Sequence, residues 1–115
     1  MEDQESPYGQ VALKFSTELL NGQFEEAYTF LGASIREEWT PSLLQETYEE
    51  MVEYFYIPPN EVSVEVVDTQ MLGIKSDTAW VYVSIFGEGN AEAVTVIVSN
   101  EHGRYLIQEL EWGRP

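Results

Sequence analysis

Residues 92–112 read EAVTVIVSNEHGRYLIQELEW, and this stretch decides the fold of the chain. It contains two apolar-rich runs that residues 100–103 join. An Asn at the first of these positions and a Gly at the fourth are typical of a type I turn closing into a bulge, which predicts a three-residue loop. The pairs that this loop predicts are Val98 with Leu106, Val96 with Gln108 and Val94 with Leu110 on one face, and Ile97 with Ile107 and Thr95 with Glu109 on the other.

Neither face of this predicted hairpin is fully polar. A sheet that is apolar on both faces has to be covered on both. We therefore expect helices on one face of the sheet and a partner, a loop or a ligand on the other.

Helix signals occupy the first half of the chain. Ser6-Pro7 and Thr40-Pro41 each place a capping hydroxyl before a proline at the first helical position. The predicted helices run from Pro7 to Asn21-Gly22, over residues 23–31, over one turn at residues 34–39, and from Pro41 to about Tyr56. Their apolar stripes are Tyr8, Ala12, Phe15 and Leu19, then Phe24, Ala27, Tyr28 and Leu31, then Leu44, Tyr48, Met51, Val52 and Phe55.

The last predicted helix also carries a row of acids, which forms either a solvated face or a surface for a metal or a partner. These acids are Glu46, Glu49, Glu50 and Glu53.

Strand signals fill the second half. Residues 61–69 and 78–86 alternate, and a polar turn is expected at Lys75-Ser76-Asp77 between them. The length of the loop at residues 87–90 stays open, so either the aromatic or the valine set of residues 78–86 shares a face with Val94. We expect one α+β domain over residues 1–115, in which two to three helices pack on a curved four-stranded antiparallel meander after a loose lead at residues 1–6.

The composition excludes several classes of function. Twenty-one acids against five bases give a formal charge of −16, which disfavours nucleic acid and anionic membranes. The charge serves either solubility or the capture of a basic partner. The apolar runs are too short to span a bilayer, residues 1–10 lack a signal-peptide pattern, and the absence of cysteine fits a reducing compartment. We therefore expect a cytoplasmic protein, unless a targeting segment has been trimmed.

The segment NGQFEEAY at residues 21–28, and the LxxxxxxxWTPxxL pattern of residues 31–44, resemble the nuclear-transport-factor-two-like superfamily, also called SnoaL-like or ketosteroid-isomerase-like. The resemblance covers residues 11–112 and implies a cystatin-like fold whose sheet curls into a cone around a pocket. Within the superfamily, the chain most resembles the small bacterial members of unknown role. It also implies accessory-subunit roles, including immunity proteins that neutralise a toxin.

The chain departs from the catalytic members of that superfamily. Ketosteroid isomerases need an aspartate base, a tyrosine and a second acid in an apolar site. Here Asp68 falls at a strand end, Asp77 in a turn, and the only histidine, His102, at a hairpin tip. Glu109 and Glu111 alternate along one strand and are typical of a wet surface more than of an acid–base pair. We assign no catalytic residue, no metal ligand and no cofactor.

Aromatic residues form the most distinctive group of side chains. They either fill the core or line a small apolar pocket with polar tips. The residues of this group are Tyr28, Trp39, Tyr54, Tyr56, Trp80, Tyr82 and Trp112. If they line a pocket, the expected ligand-binding residues are Trp39, Tyr54, Trp80 and Tyr82.

Two functions follow from these observations. The first is a non-catalytic binding or protein-interaction module, a homodimer through the sheet face that presents an acidic surface to a basic protein. The alternative is an isomerase-like or cyclase-like enzyme, or a carrier, that holds a small apolar ligand in the aromatic pocket. A buried acid in the cone favours the alternative, whereas a cone filled by its own side chains disfavours it.

Overall fold

The computed structural model describes residues 6–69 and 78–113. In this part of the chain, helices precede a four-stranded antiparallel sheet, which confirms the predicted α+β fold. The elements are α1 (Pro7–Leu20), α2 (Phe24–Tyr28), a 3₁₀ turn (Ile35–Glu37), α3 (Pro41–Val52), β1 (Glu61–Asp68), β2 (Thr78–Gly87), β3 (Asn90–Glu101) and β4 (Arg104–Trp112). The turn expected at Lys75-Ser76-Asp77 lies outside the described residues.

Both predicted helix caps are present. The Ser6 hydroxyl accepts a hydrogen bond from the Gly9 amide, and the Thr40 hydroxyl accepts one from the Leu43 amide, each at 3.0 Å. Each cap satisfies one of the amides that the first turn of a helix leaves without a partner. The caps therefore fix where α1 and α3 begin.

Two helices end earlier than the sequence predicts. α3 stops at Val52 instead of Tyr56, because the chain tightens into a turn in which the Phe55 amide bonds the Val52 carbonyl at 3.0 Å. α2 stops at Tyr28 because the next residues leave the helix to pair with β4. The Ile107 amide donates to the Phe30 carbonyl, and the Gly32 amide donates to the Ile107 carbonyl, both at 2.8 Å. This pairing covers the β4 edge of the sheet.

The hairpin between β2 and β3 settles which set of side chains faces the helices. Gly87 pairs with Asn90, and the register then places Val83 opposite Val94 and Val81 opposite Val96. The valine set of β2 therefore shares a face with the valines of β3, and the aromatic set lies on the other face.

The hairpin between β3 and β4 differs from its prediction. Glu101 pairs with Arg104, so the loop has two residues, His102 and Gly103, with φ of 54° and 90°. Positive φ at both central positions is the geometry of a type I′ turn, which matches the twist of the strands. The Asn100 side chain accepts a hydrogen bond from the Gly103 amide at 2.8 Å. The prediction of a three-residue loop was wrong because His102 takes the left-handed conformation.

A bulge in the same pair of strands changes the register again. It lies between Ile97 and Val98, where the register skips Gln108 of β4, and beyond it Val96 pairs with Leu110. All five predicted pairs are therefore wrong. The observed pairs are Val98 with Ile107, Ile97 with Glu109, Val96 with Leu110, Thr95 with Glu111 and Val94 with Trp112.

The core lies between the helices and one face of the sheet. α1 packs across all four strands. The side chains at the centre of the layer between α1 and the sheet have no exposed surface, as expected for a close-packed interior. The fully buried residues of this layer include Ala12, Phe15, Leu19, Leu44, Ala79, Val81, Val83, Ile85, Val94, Val96, Val98 and Ile107. The described side chains thus fill the layer between helices and sheet.

Candidate functional site: the open face of the sheet

The second face of the sheet carries the aromatic set of β2. Side chains along a strand alternate between faces. On β2 every second residue from Ala79 to Ile85 is buried against the helices, and the residues between and after them, Trp80, Tyr82, Ser84 and Phe86, lie on the other face. These four residues are half-buried. Within residues 6–69 and 78–113, no helix lies over them. We call this side the open face.

Two rows of side chains run across the open face from β1 to β4. In the first row, Asp68 pairs with Trp80, Trp80 with Ile97, and Ile97 with Glu109. An aromatic ring and an aliphatic side chain thus lie between two acids.

The second row lies two residues further along β2. Val66 pairs with Tyr82, Tyr82 with Thr95, and Thr95 with Glu111. This row also ends in an acid on β4. The two rows differ at β1, where the first row ends in Asp68 and the second in Val66, and they share an aromatic ring on β2 and a carboxylate on β4.

The two central rings are in contact. Trp80 and Tyr82 are stacked, with ring centroids 6.1 Å apart and planes 16° apart. Thr95, between Tyr82 and Glu111, is only 6% exposed even though no described helix covers it. The side chains at the centre of the open face therefore pack against one another and present a largely apolar surface.

Acidic side chains border this surface along both outer strands. Glu61, Glu65 and Asp68 lie on β1, and Glu109 and Glu111 lie on β4. All of these acids are exposed except Asp68, which is half-buried. Three strand spacings separate β1 from β4, which is roughly 14 Å. We call these two lines of carboxylates the acid rims.

Bases are scarce near the acid rims. Lys14 lies on α1, and the Arg36 guanidinium donates to the Leu31 and Thr29 carbonyls at 2.9 and 3.1 Å in the helical layer. Arg104 begins β4 and pairs with Glu101 at the hairpin. Among the described residues, no Lys or Arg lies between the rims.

A cleft adjoins one end of the open face. It encloses about 500 Å³ beside the β2–β3 hairpin, and Tyr54, Glu65, Ser84 and Phe86 are among its lining residues. The Tyr54 hydroxyl lies 2.9 Å from both the Ala91 carbonyl oxygen and a Glu92 carboxylate oxygen, which ties the segment after α3 to the start of β3. The cleft is open to solvent and continues the aromatic surface past Phe86.

The four expected ligand-binding residues do not all meet. Trp80 and Tyr82 stack on the open face, and Tyr54 lines the cleft at the end of that face. Trp39 instead packs against Trp112, with ring centroids 5.8 Å apart. Since Trp112 pairs with Val94, this second ring pair lies on the helix side of the sheet. The sheet itself separates Trp39 from Trp80 and Tyr82.

Groups with catalytic potential lie apart from one another. His102 is exposed at the β3–β4 turn, and Glu109 and Glu111 are exposed on β4. Burial raises the pKa of Tyr48, on the helix side, to about 12. Among the described residues, no three His, Cys, Asp or Glu side chains are grouped so as to hold a metal ion.

Residues that the sequence did not single out complete the open face. Phe86 and Ile97 extend the aromatic pair, and Glu65 joins the rim because a bulge in β1 lies between Val64 and Val66. The alternation of residues 78–86 was visible in the sequence. The cross-strand register that aligns the acids with the rings was not.

The chain matches no protein-family model, no curated protein and no solved structure with which it was compared. The resemblance to the nuclear-transport-factor-two-like superfamily therefore stays a prediction. None of the described helices is long and apolar enough to cross a membrane.

Proposed function

We propose that this chain is a non-catalytic module that binds a basic protein through the open face. The observation that carries the proposal is the pair of cross-strand rows with no described helix above them. In one row Trp80 and Ile97 lie between Asp68 and Glu109, and in the other Tyr82 and Thr95 lie between Val66 and Glu111. An apolar surface rimmed by polar residues is a frequent mark of a protein interaction site.

The apolar part of the face supports affinity. Trp80, Tyr82 and Phe86 are half-buried, so each has ring surface that a partner can remove from water. Burial of such surface contributes about 25 cal/mol per Å². Tyr and Trp are also enriched among the residues that dominate binding energy, because their rings give large contacts at low entropic cost.

The acid rims support the choice of a basic partner. The chain carries a formal charge of −16, and the rims place acids on both sides of the aromatic surface. Such a field speeds the encounter with a cationic protein and disfavours acidic ones. Its long-range part weakens with salt, since the Debye length is about 10 Å at 0.1 M ionic strength.

The sequence also predicts a homodimer through the sheet face, as part of the same interaction module. A second copy would bring its own Glu109 and Glu111 against the rims of the first, and like charges in contact oppose association. The charge therefore favours a basic partner over a second copy. A cytoplasmic setting and membership in the nuclear-transport-factor-two-like superfamily remain part of the proposal.

A small-molecule carrier is the second candidate, and the cleft beside Tyr54 and Phe86 favours it. Its volume of about 500 Å³ lies in the range of ligand sites. Native mass spectrometry of the freshly purified protein separates the two candidates. A reproducible added mass that Phe86→Ala removes would support the carrier, and a bare chain mass would favour the interaction module.

The interaction module is tested by capture of partners from an extract of the source cells and titration of the purified partner by calorimetry. We expect a partner rich in Lys and Arg, whose affinity falls at least about tenfold between low and moderate salt. Trp80→Ser should weaken binding at both salt concentrations because it removes apolar contact. An acidic partner, or an affinity unaffected by salt, would contradict the proposal.

A further inference from the structure

We infer that the partner presents a cationic amphipathic α-helix, which lies along β2 and β3 between the acid rims. The inference rests on the proposed function, since it specifies which element of a basic partner the open face accepts. Three features of the face support it: its width, the nature of the groups it exposes, and the placement of its charges.

The width of the face suits a helix. The rims on β1 and β4 are three strand spacings apart, roughly 14 Å. An α-helix with its side chains is about 10–12 Å in diameter. A helix laid over Trp80 and Ile97 would therefore occupy the apolar centre and leave its flanks beside Asp68 and Glu109.

The groups on the face also favour a helix. The centre exposes the rings of Trp80 and Tyr82, and the backbone amides and carbonyls of β2 are paired with β1 and β3. An extended segment pressed onto these rings would bury its own amides without partners, which costs free energy. A helix satisfies its backbone internally and can be pressed onto apolar side chains at no such cost. It would add a second helical layer to the sheet.

The length of the aromatic stripe sets the length of the helix. Six residue steps separate Trp80 from Phe86, which is roughly 20 Å along a strand. At 1.5 Å per residue, about 13 helical residues cover that distance. The cleft beside Phe86 and Tyr54 lies at one end of the stripe and offers about 500 Å³ for a large apolar side chain of the partner.

The charges specify the flanks of the helix. Acids lie on both sides of the stripe, so Lys or Arg is expected on both borders of the apolar face of the helix. Long basic side chains can lie along apolar surface and still place their charge in water near a carboxylate. The partner helix is therefore expected to be apolar on one narrow face and basic on each side of it.

The experiment uses two synthetic peptides of about 18 residues, long enough to exceed the stripe. Both contain the same numbers of Leu and Lys. In the first, Leu recurs at helical spacing, and in the second Leu and Lys alternate as in a strand. Binding to the intact protein is measured by calorimetry, and circular dichroism reports the conformation of each bound peptide. We expect the first peptide to bind as a helix and at least about tenfold more tightly than the second.

A pair of charge-matched variants locates the site. Glu109→Gln/Glu111→Gln removes two rim acids, and Glu46→Gln/Glu50→Gln removes two exposed acids from the outer face of α3. All four positions are exposed, so neither variant is expected to unfold. The rim variant should weaken the binding of the helical peptide about tenfold, whereas the α3 variant should weaken it less than about twofold.

Each other outcome is decisive. If the alternating peptide binds as tightly as the helical one, the inference is wrong and the proposed function stands. If both charge variants weaken binding equally, the open face is not the site. If neither cationic peptide binds and no basic protein is captured, the inference and the proposed function fail together. If the protein self-associates and Trp80→Ser abolishes this, a second copy occupies the face, and the inference is overturned.

Discussion

The two faces of the same four-stranded sheet are built from different side chains and have different surroundings. On the helix side, Val81 and Val96 sit opposite each other with no exposed surface. On the open face, their sequence neighbours Trp80 and Ile97 also sit opposite each other, but are half-buried. A shift of one residue along the backbone thus separates the core from the open face.

Charge alone does not distinguish the two sides. The outer face of α3 carries Glu46, Glu49 and Glu50, so the helical layer is acidic toward solvent as well. The open face differs because its acids border half-buried aromatic rings with no described helix over them. On α3 the central apolar residues Leu44 and Tyr48 are already buried, and exposed charge pairs contribute little by themselves.

The difference between the two faces is tested most directly by removing a phenylalanine ring from each of them. Phe15→Ala deletes a fully buried ring from α1 and should lower the free energy of unfolding by about 3–5 kcal/mol, because it leaves a cavity in the core. Phe86→Ala deletes a half-buried ring from the open face and should cost about 1 kcal/mol. Urea unfolding of both variants measures the difference. Equal losses would mean that the open face is core.

Alkaline titration tests whether water is excluded from the helix side of the sheet. Burial raises the pKa of Tyr48 from 10.0 to about 12. Below pH 10 the phenol is protonated in both the folded and the unfolded chain, and its contribution to stability is fully present. Between pH 10 and 12 the unfolded chain loses this proton first, so the free energy of unfolding should fall by up to about 1.4 kcal/mol per pH unit.

Tyr48→Phe tests that assignment because the phenylalanine ring keeps the packing and cannot ionise. Its unfolding free energy should depend less on pH above 10 than that of the natural chain. Tyr56→Phe is the control for the loss of a phenol hydroxyl from an exposed ring, since Tyr56 is 93% exposed. Parallel pH curves for the natural chain and Tyr48→Phe would show that this ring is hydrated.

Removal of a buried hydroxyl on the helix side should change stability less than the substitutions above, and should stabilise the chain. Ser16 is fully buried in α1, and its Oγ has no hydrogen-bond partner within residues 6–69 and 78–113. Ser16→Ala removes an unsatisfied polar group and should raise the free energy of unfolding by about 1 kcal/mol. The midpoint of thermal unfolding reports the change. A lower midpoint would indicate that the hydroxyl is bonded in solution.

The smallest expected effect concerns the turn that sets the register of β4. His102 has a φ of 54° and precedes Gly103, so the turn has the geometry that Asn-Gly favours. His102→Asn should stabilise the chain by about 0.5 kcal/mol, and His102→Val should destabilise it because a β-branched residue resists this φ. If both variants have the same stability, the left-handed turn is not formed, and the register that brings Glu109 opposite Ile97 is in doubt.

The helices and the order of the strands could be predicted because their signals are local. A hydroxyl before a proline fixes the start of α1, and alternation identifies β2. The register of β4 could not be predicted, since His102 signals a left-handed turn less strongly than Asn or Gly does, and the bulge at Gln108 leaves no sequence mark. The aromatic residues were recognised without the faces to which they belong, so Trp39 was grouped with Trp80 although the sheet lies between them.

The most direct test of the central claim is a nuclear magnetic resonance titration that follows the three indole N–H signals, one from each tryptophan. Trp80 lies on the open face, whereas Trp39 and Trp112 contact each other on the helix side. Addition of the helical Leu and Lys peptide should shift the Trp80 signal and leave the other two in place. Shifts confined to Trp39 and Trp112, or no shift while the peptide binds, would contradict a binding site on the open face.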